Sequence, residues 1–253
     1  MRYLLTATGI ALSCLLTGLS GKGQQIVDVS KNDFALTMDP NVKTTVVGLL
    51  YQNIKYVRVT EGSPFFMDQW MKARLFDADG NSYADNAVRL NLMDNQVHFL
   101  DASGQEIVAT TPVRLMRLTD TTTGAQYTFI MGDRLPAADK SLAKTWFQVL
   151  VNDKVSLCLQ IKKTIHEDLS YRSSTTEEQI INNNWYFVQI NNTFVRVKTW
   201  TDLLQLFSDK KDAVDSFAHD HHLKGKSTED YIQLVKFYNS SSKSLPVIRQ
   251  KIN

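Results

Sequence analysis

Between residues 44 and 198 the apolar positions fall in short β-branched and aromatic runs broken by turn residues; past Thr199 they recur at helical spacing. "TTVVGLLY" (44–51) and "IKYVRVT" (54–60) read as the first strands. "GSPFFMDQW" follows, with Gly62 and Pro64 marking a turn and Phe65, Phe66 and Trp70 expected to lock it onto the core. Further hairpin turns are expected in "TDTTTGAQ" (119–126), at Asn152-Asp153 in "LVNDKVSL" and at Asn191-Asn192 in "QINNTFVRV". The polar, Ser/Thr/Asn-rich stretch from 164 to 184 reads as a long exposed loop between two sheet segments.

Three helices are predicted in "TWTDLLQLF", "SDKKDAVDSFAHDHHL" and "STEDYIQLVKFYN". Thr199 with Asp202 and Ser227 with Asp230 fit variants of the capping box. Val214, Phe217 and His221 line one helical face, and Tyr231, Leu234, Val235 and Tyr238 another; Gly225 is the expected stop of the middle helix. The predicted architecture is α+β and predominantly antiparallel. A twisted sheet or incomplete barrel built of hairpins spans 24–198, a short C-terminal helical segment spans 199–240, and 241–253 is a frayed tail. The helices are expected to pack on the sheet or on a partner.

Two stretches repeat each other. "LFDADGNSYADNAVRL" (75–90) and "FLDASGQEIVATTPVRL" (99–115) pair Asp77 with Asp101 and Gly80 with Gly104, and each ends in Val-Arg-Leu. "FDADGN" also looks like the start of a calcium loop. With Gly80 at the sixth position of an EF-type loop, however, the first is Leu75 and the twelfth Asn86, so two required oxygen ligands are missing. The stretch is a hairpin turn used twice: the aspartate accepts backbone N–H bonds and the glycine supplies the positive φ.

Residues 1–23 read as an export leader: Arg2 gives the positive start, and Leu4 to Leu19 form an apolar core too short to span a membrane. "ALSC" around Cys14 loosely resembles a lipid-attachment box, but the apolar run continues past it as "LLTGLS", which argues against lipidation. No later segment is apolar enough for a transmembrane helix. The expected location is the periplasm, the outer envelope or beyond. The chain carries 28 basic and 26 acidic residues, and losing Arg2 and Lys22 leaves 26 of each. A neutral chain has no basic surplus to release counterions, which disfavours nucleic-acid binding. Cys158 would be the one remaining cysteine, set in the apolar run "VSLCLQI", and is expected to be a buried, inert thiol.

The densest candidate constellation is "HDHH": His219, His221 and His222 could form a weak metal site, with His219 and His222 on one helical face. The competing reading is a helix C-terminus, where histidine suits the dipole and caps carbonyls. "IHEDLS" lacks the second histidine of a zincin helix, and Gly-x-Ser-x-Gly, P-loop and dinucleotide fingerprints are absent after the leader. Asn191-Asn192-Thr193 matches a glycosylation acceptor but is explained by its turn.

"GSPFFMDQW", "VRLNLMDNQVHF", "FQVLVNDKVSLCLQ" and "DLLQLFSDKKDAVDSFAHDHHLKGKSTEDYIQLVKFYNS" together resemble a family of exported proteins of Gram-negative bacteria with no assigned activity. The resemblance covers roughly 62–239 and carries no functional residues with it. Export, neutrality, aromatics near turns and the lack of a catalytic signature lead to one expectation. This is a non-catalytic periplasmic or envelope protein, needing no cofactor, that binds another protein or a surface ligand. The alternative is a carboxylate-based envelope hydrolase, and the third reading is metal binding through the histidines.

Overall fold

A computed structural model describes residues 47–136, 139–168 and 177–241. The expected leader and nearly all of the expected frayed tail lie outside them. The strands are β1 (Gly48–Leu50), β2 (Val59–Glu61), β3 (Met71–Asp77), β4 (Ser82–Asn91), β5 (Gln96–Leu100), β6 (Glu106–Ala109), β7 (Val113–Thr119), β8 (Gln126–Met131), β9 (Trp146–Val151), β10 (Ser156–Asp168), β11 (Glu177–Ile190) and β12 (Thr193–Val197). Helices α1 (Trp200–Leu206), α2 (Lys211–Asp220) and α3 (Thr228–Ser241) follow. The strands form one open sheet in the order β1-β6-β5-β4-β3-β7-β8-β9-β10-β11-β12, with β2 beside β11. Every neighbour is antiparallel except β2, which runs parallel to β11 with Val59 opposite Glu178. The α+β architecture, predominantly antiparallel with a short helical end, is as the sequence predicts.

The repeated turn is built as its chemistry requires. Asp77 Oδ1 accepts the N–H groups of Asp79 (3.0 Å) and Asn81 (2.9 Å), and Asp101 Oδ1 those of Ser103 (2.8 Å) and Gln105 (2.9 Å). Gly80 and Gly104 sit at φ 84° and 81°. The copies then diverge. In the first, Val88-Arg89-Leu90 continues the same strand; in the second, Thr110–Pro112 interrupts it. Pro112 has no N–H for a ladder, and the chain crosses to pair β7 with β3 instead of with β6. Asn191 and Asn192, both at positive φ (49° and 60°), make the two-residue turn between β11 and β12.

Two sequence expectations need correction. Most of "IKYVRVT" is a turn, and only Val59 and Thr60 enter β2; Ile54 and Val57 stay exposed while Tyr56 is buried with its hydroxyl on Asp94. The stretch 164–184 is not a loop over its described length. β10 and β11 run on through its described parts as a long arm, pairing Thr164 with Ile181 and Ile165 with Ile180, with β2 added beside Glu178 and Gln179. Its polar composition reflects exposure beyond the core, while the β-branched residues keep the ladder extended. Lys163 anchors the arm by donating to the Ser63 carbonyl at 2.8 Å.

Apolar side chains fill the sheet from both sides at β9, whose six residues are all buried. Phe147 packs edge-on to Phe187 and Phe194, with ring centroids 5.1 and 5.3 Å away. Burial of each such ring stabilises the fold by about 2–3 kcal/mol. Phe66 reaches the other cluster, edge-on to Tyr127 and Phe129, so "GSPFFMDQW" does lock its turn onto the core. The helices dock in cis: Tyr231, Leu234, Val235 and Tyr238 of α3 are buried in one cluster with Leu157, Leu159, Val188 and Val197 of the sheet. Tyr231 stacks on Tyr186 at 4.0 Å. α1 carries the full capping box of Thr199 and Asp202.

Gly225 does not end α2. The helix closes at His222, in the left-handed region at φ 54°, with Leu223 N–H donating to the Ala218 carbonyl (2.8 Å) and His222 N–H to that of His219 (3.1 Å), the paired bonds of a Schellman motif. Gly225 is required for another reason: a Cβ there would lie 2.7 Å from the Trp200 side chain.

Candidate functional site

The histidines of "HDHH" do not converge. His219 is exposed with Nδ1 3.3 Å from Asp220, His221 stacks on Phe217 at 4.0 Å with Nδ1 by that residue's carbonyl, and His222 serves the helix end. Among the described residues no three His, Cys, Asp or Glu side chains are grouped to hold a metal. Cys158 is fully buried, and burial pushes its thiol up to about 12, which leaves no thiolate for chemistry.

A polar network that sequence reasoning missed lies across β4, β5 and β6. His98, fully buried, faces Arg89 across the ladder and holds Glu106 Oε1 at 2.7 Å through Nδ1. Arg89 Nη2 donates to both oxygens of the same carboxylate, at 2.8 and 2.7 Å, and its guanidinium lies between Phe65 (3.8 Å) and Trp70 (4.2 Å). Burial lowers the pKa of His98, opposed by its hydrogen bond to Glu106. Nδ1 lies against the carboxylate, and Nε2 is buried with no partner among the described residues. Tyr51 and Phe65 close over the imidazole edge-on, at 4.5 and 5.2 Å. Beside it Asp94 binds Lys55 and the Tyr56 hydroxyl. With both sides of His98 covered, the network clamps segment 51–70 to the sheet and offers no approach to a substrate.

The open site lies on β3, β4, β7 and β8. A cavity of about 390 Å³ is lined by Lys72 and Arg74 of β3, Asp85 and Asn86 of β4, Arg117 and Thr119 of β7 and Gln126 of β8. Register places Arg74 directly opposite Arg117 and Lys72 opposite Thr119. On the other side of β3 the ladder slips between Met71 and Ala73, so β4 carries an extra residue there. Asp85 Oδ1 accepts the Ala87 N–H at this bulge, at 2.8 Å. Bulges of this kind re-aim side chains and gather beside functional sites. Arg117 Nε is buried without a hydrogen-bond acceptor, and no carboxylate among the described residues forms an ion pair with Arg117.

Comparisons with family models, with curated proteins and with solved structures found no match.

The site's chemistry therefore rests on its own side chains. Three cations face one carboxylate, with Thr119, Asn86 and Gln126 able to donate hydrogen bonds around them. Catalysis by a carboxylate pair would need a second acid, and Asp85 is the single one lining the cavity. Sequence held a partial signal: Lys72 and Arg74, and Arg117 and Thr119, are two apart and so share a strand face. That the two strands are neighbours follows from the crossover at Pro112, which no local pattern announces.

Proposed function

We propose that this chain is a non-catalytic protein of the cell envelope that binds another protein or a surface ligand, and that it binds at the face carrying Lys72, Arg74 and Arg117. The observation that carries this reading is the open cavity beside the β3–β4 bulge, lined by Lys72, Arg74 and Arg117 together with Asp85, Asn86, Thr119 and Gln126. Among the described residues the helices pack chiefly on β9, β10 and β12 rather than on β3, β4 and β7. The export leader and the resemblance to exported proteins support the location.

The test is site-specific photo-cross-linking in intact producing cells, followed by mass spectrometry. A cross-linker at Asn86 should give a discrete product in the envelope fraction, and one at Gln233 of α3 should not. Equal capture at both positions, or none at Asn86, would overturn the assignment of this face.

A further inference from the structure

We infer that the free edge of β1 is where two copies of this chain pair, strand to strand, about a two-fold axis through Leu49. β1 ends the sheet, and its one neighbour among the described residues is β6. Val47 and Tyr51 turn their backbone groups toward β6: the Thr110 N–H donates to the Val47 carbonyl (2.8 Å), and the Tyr51 N–H to that of Glu106 (2.9 Å). Successive residues of a strand point these groups to opposite sides, so Leu49 also faces β6 while Gly48 and Leu50 face away. Such an edge templates the addition of another strand, and folded proteins guard it with charge. Two other edges are guarded in this way, since β12 carries the exposed Arg196 and β2 the exposed Glu61. The stretch of β11 between them is three exposed asparagines, Asn182 to Asn184. β1 has no such guard. No charge lies between Lys43 and Lys55, and Val47, Leu49 and Leu50 are 64, 68 and 59 % exposed. An apolar edge left this bare marks an interaction surface.

The occupant is a second copy because the segment complements itself. Antiparallel pairing centred on Leu49 sets Gly48 of each copy opposite Leu50 of the other, as a hydrogen-bonded pair. Every outward N–H and C=O of those two residues then has a partner. Leu49 meets Leu49 in the closer, non-hydrogen-bonded pair, and Val47 lies opposite Tyr51. Gly48 is required by its own sheet, because a Cβ there would lie 2.6 Å from the Val108 carbonyl oxygen and 3.0 Å from the Phe99 ring. Leu50 is on the same face as Gly48, so Leu50 of each copy covers the bare backbone at Gly48 of the other, beside Phe99. Glycine facing leucine twice is the symmetric fit that an isologous interface needs. With three residues in the ladder the contact is small, which makes the dimer reversible and micromolar. β6 and β5 separate this edge from β4, so it is distinct from the cavity on β3 and β7.

Sedimentation velocity on the purified chain from Gln24 onward, at roughly 1 to 200 μM, should show a monomer–dimer equilibrium. Leu50→Pro deletes an outward N–H and leaves the bonds to β6 intact, and Leu50→Lys installs the missing charge. Each should raise the dissociation constant at least tenfold. At the lowest concentration both should melt as wild type does, because Leu50 is exposed and its N–H takes no bond from β6. Leu49→Cys should give an intermolecular disulfide under mild oxidation, since Cα atoms in a non-hydrogen-bonded pair lie about 4.5 Å apart, within disulfide range. Val57→Cys, exposed but outside the ladder, should not, and the buried Cys158 does not compete. A wild type that stays monomeric throughout overturns the inference and leaves the edge to a different strand, from this chain or another protein. A dimer that survives both Leu50 variants, or equal disulfide yields at 49 and 57, overturns it as well. Loss of the dimer leaves the Asn86 cross-link, and with it the proposed binding face, untouched.

Discussion

Asn239, buried near the end of α3, ties the helical segment to the sheet through a single side chain. Its Oδ1 accepts the Val155 N–H at 2.9 Å and its Nδ2 donates to the Val155 carbonyl at 2.8 Å, across 84 residues of chain. Both residues are 3 % exposed, so water does not substitute for the lost amide. Asn239→Ala removes two hydrogen bonds worth about 1 kcal/mol each and leaves a buried N–H and C=O unsatisfied, for a total loss of about 3 kcal/mol. In a domain of this size that lowers the melting temperature by roughly 6–12 °C. Urea unfolding followed by far-ultraviolet circular dichroism would read it as a lower midpoint at unchanged slope. Asn239→Asp keeps the acceptor but sets a carboxylate against the Val155 carbonyl, and should cost as much at neutral pH and less in acid. A loss below about 1 kcal/mol in the alanine variant would refute the idea that this clamp holds the helices in place.

Asp77→Ala should destabilise by about 2–3 kcal/mol, since the buried carboxylate also receives Asn81 Nδ2 and the Tyr83 hydroxyl. The exposed counterpart Asp101→Ala should cost clearly less; equal effects in parallel denaturation curves would contradict the distinction. Burial lowers the folded-state pKa of His98 below its ordinary value of about 6.5, so the unfolded chain binds the proton first. Stability should therefore be complete above about pH 6.5 and decline as pH falls below it. Denaturant midpoints across that range should flatten in His98→Gln, and an identical slope in both proteins would count against the assignment. His222→Gly should stabilise the fold by about 1 kcal/mol by relieving a left-handed backbone at a non-glycine residue, measured by the same denaturation; a loss would mean the imidazole contributes contacts of its own.

Local pattern carried the hairpins a long way. Asp77, Gly80, Asp101 and Gly104 specify their turns by chemistry confined to five residues, and the capping box at Thr199 is equally local. Long-range pairing was not legible. Nothing near Val113 says that its strand returns to β3, and nothing near Val59 says that it joins β11 in parallel, because both depend on which apolar faces remain uncovered. Within 164–184 the described residues are strand where a loop was expected, because polarity reports exposure and an exposed strand is as polar as a loop. His222 stood out as a weak ligand candidate beside the helix-end reading because imidazole chemistry is conspicuous, while its left-handed backbone is invisible without φ. Arg117 escaped notice because its meaning comes from Arg74 opposite it on β3, a pairing set by long-range topology.

The placement of β1 and β2 sets an order of events during synthesis. A ribosome releases residues 47–61 before β6 exists, and 118 residues separate Thr60 from its neighbour Glu178. Of the two, β2 waits longer for its partner strand, and Ile54 and Val57 beside it stay exposed in the finished fold. The β3–β4 hairpin, by contrast, pairs two strands that emerge one after the other. β2 is released early and paired late.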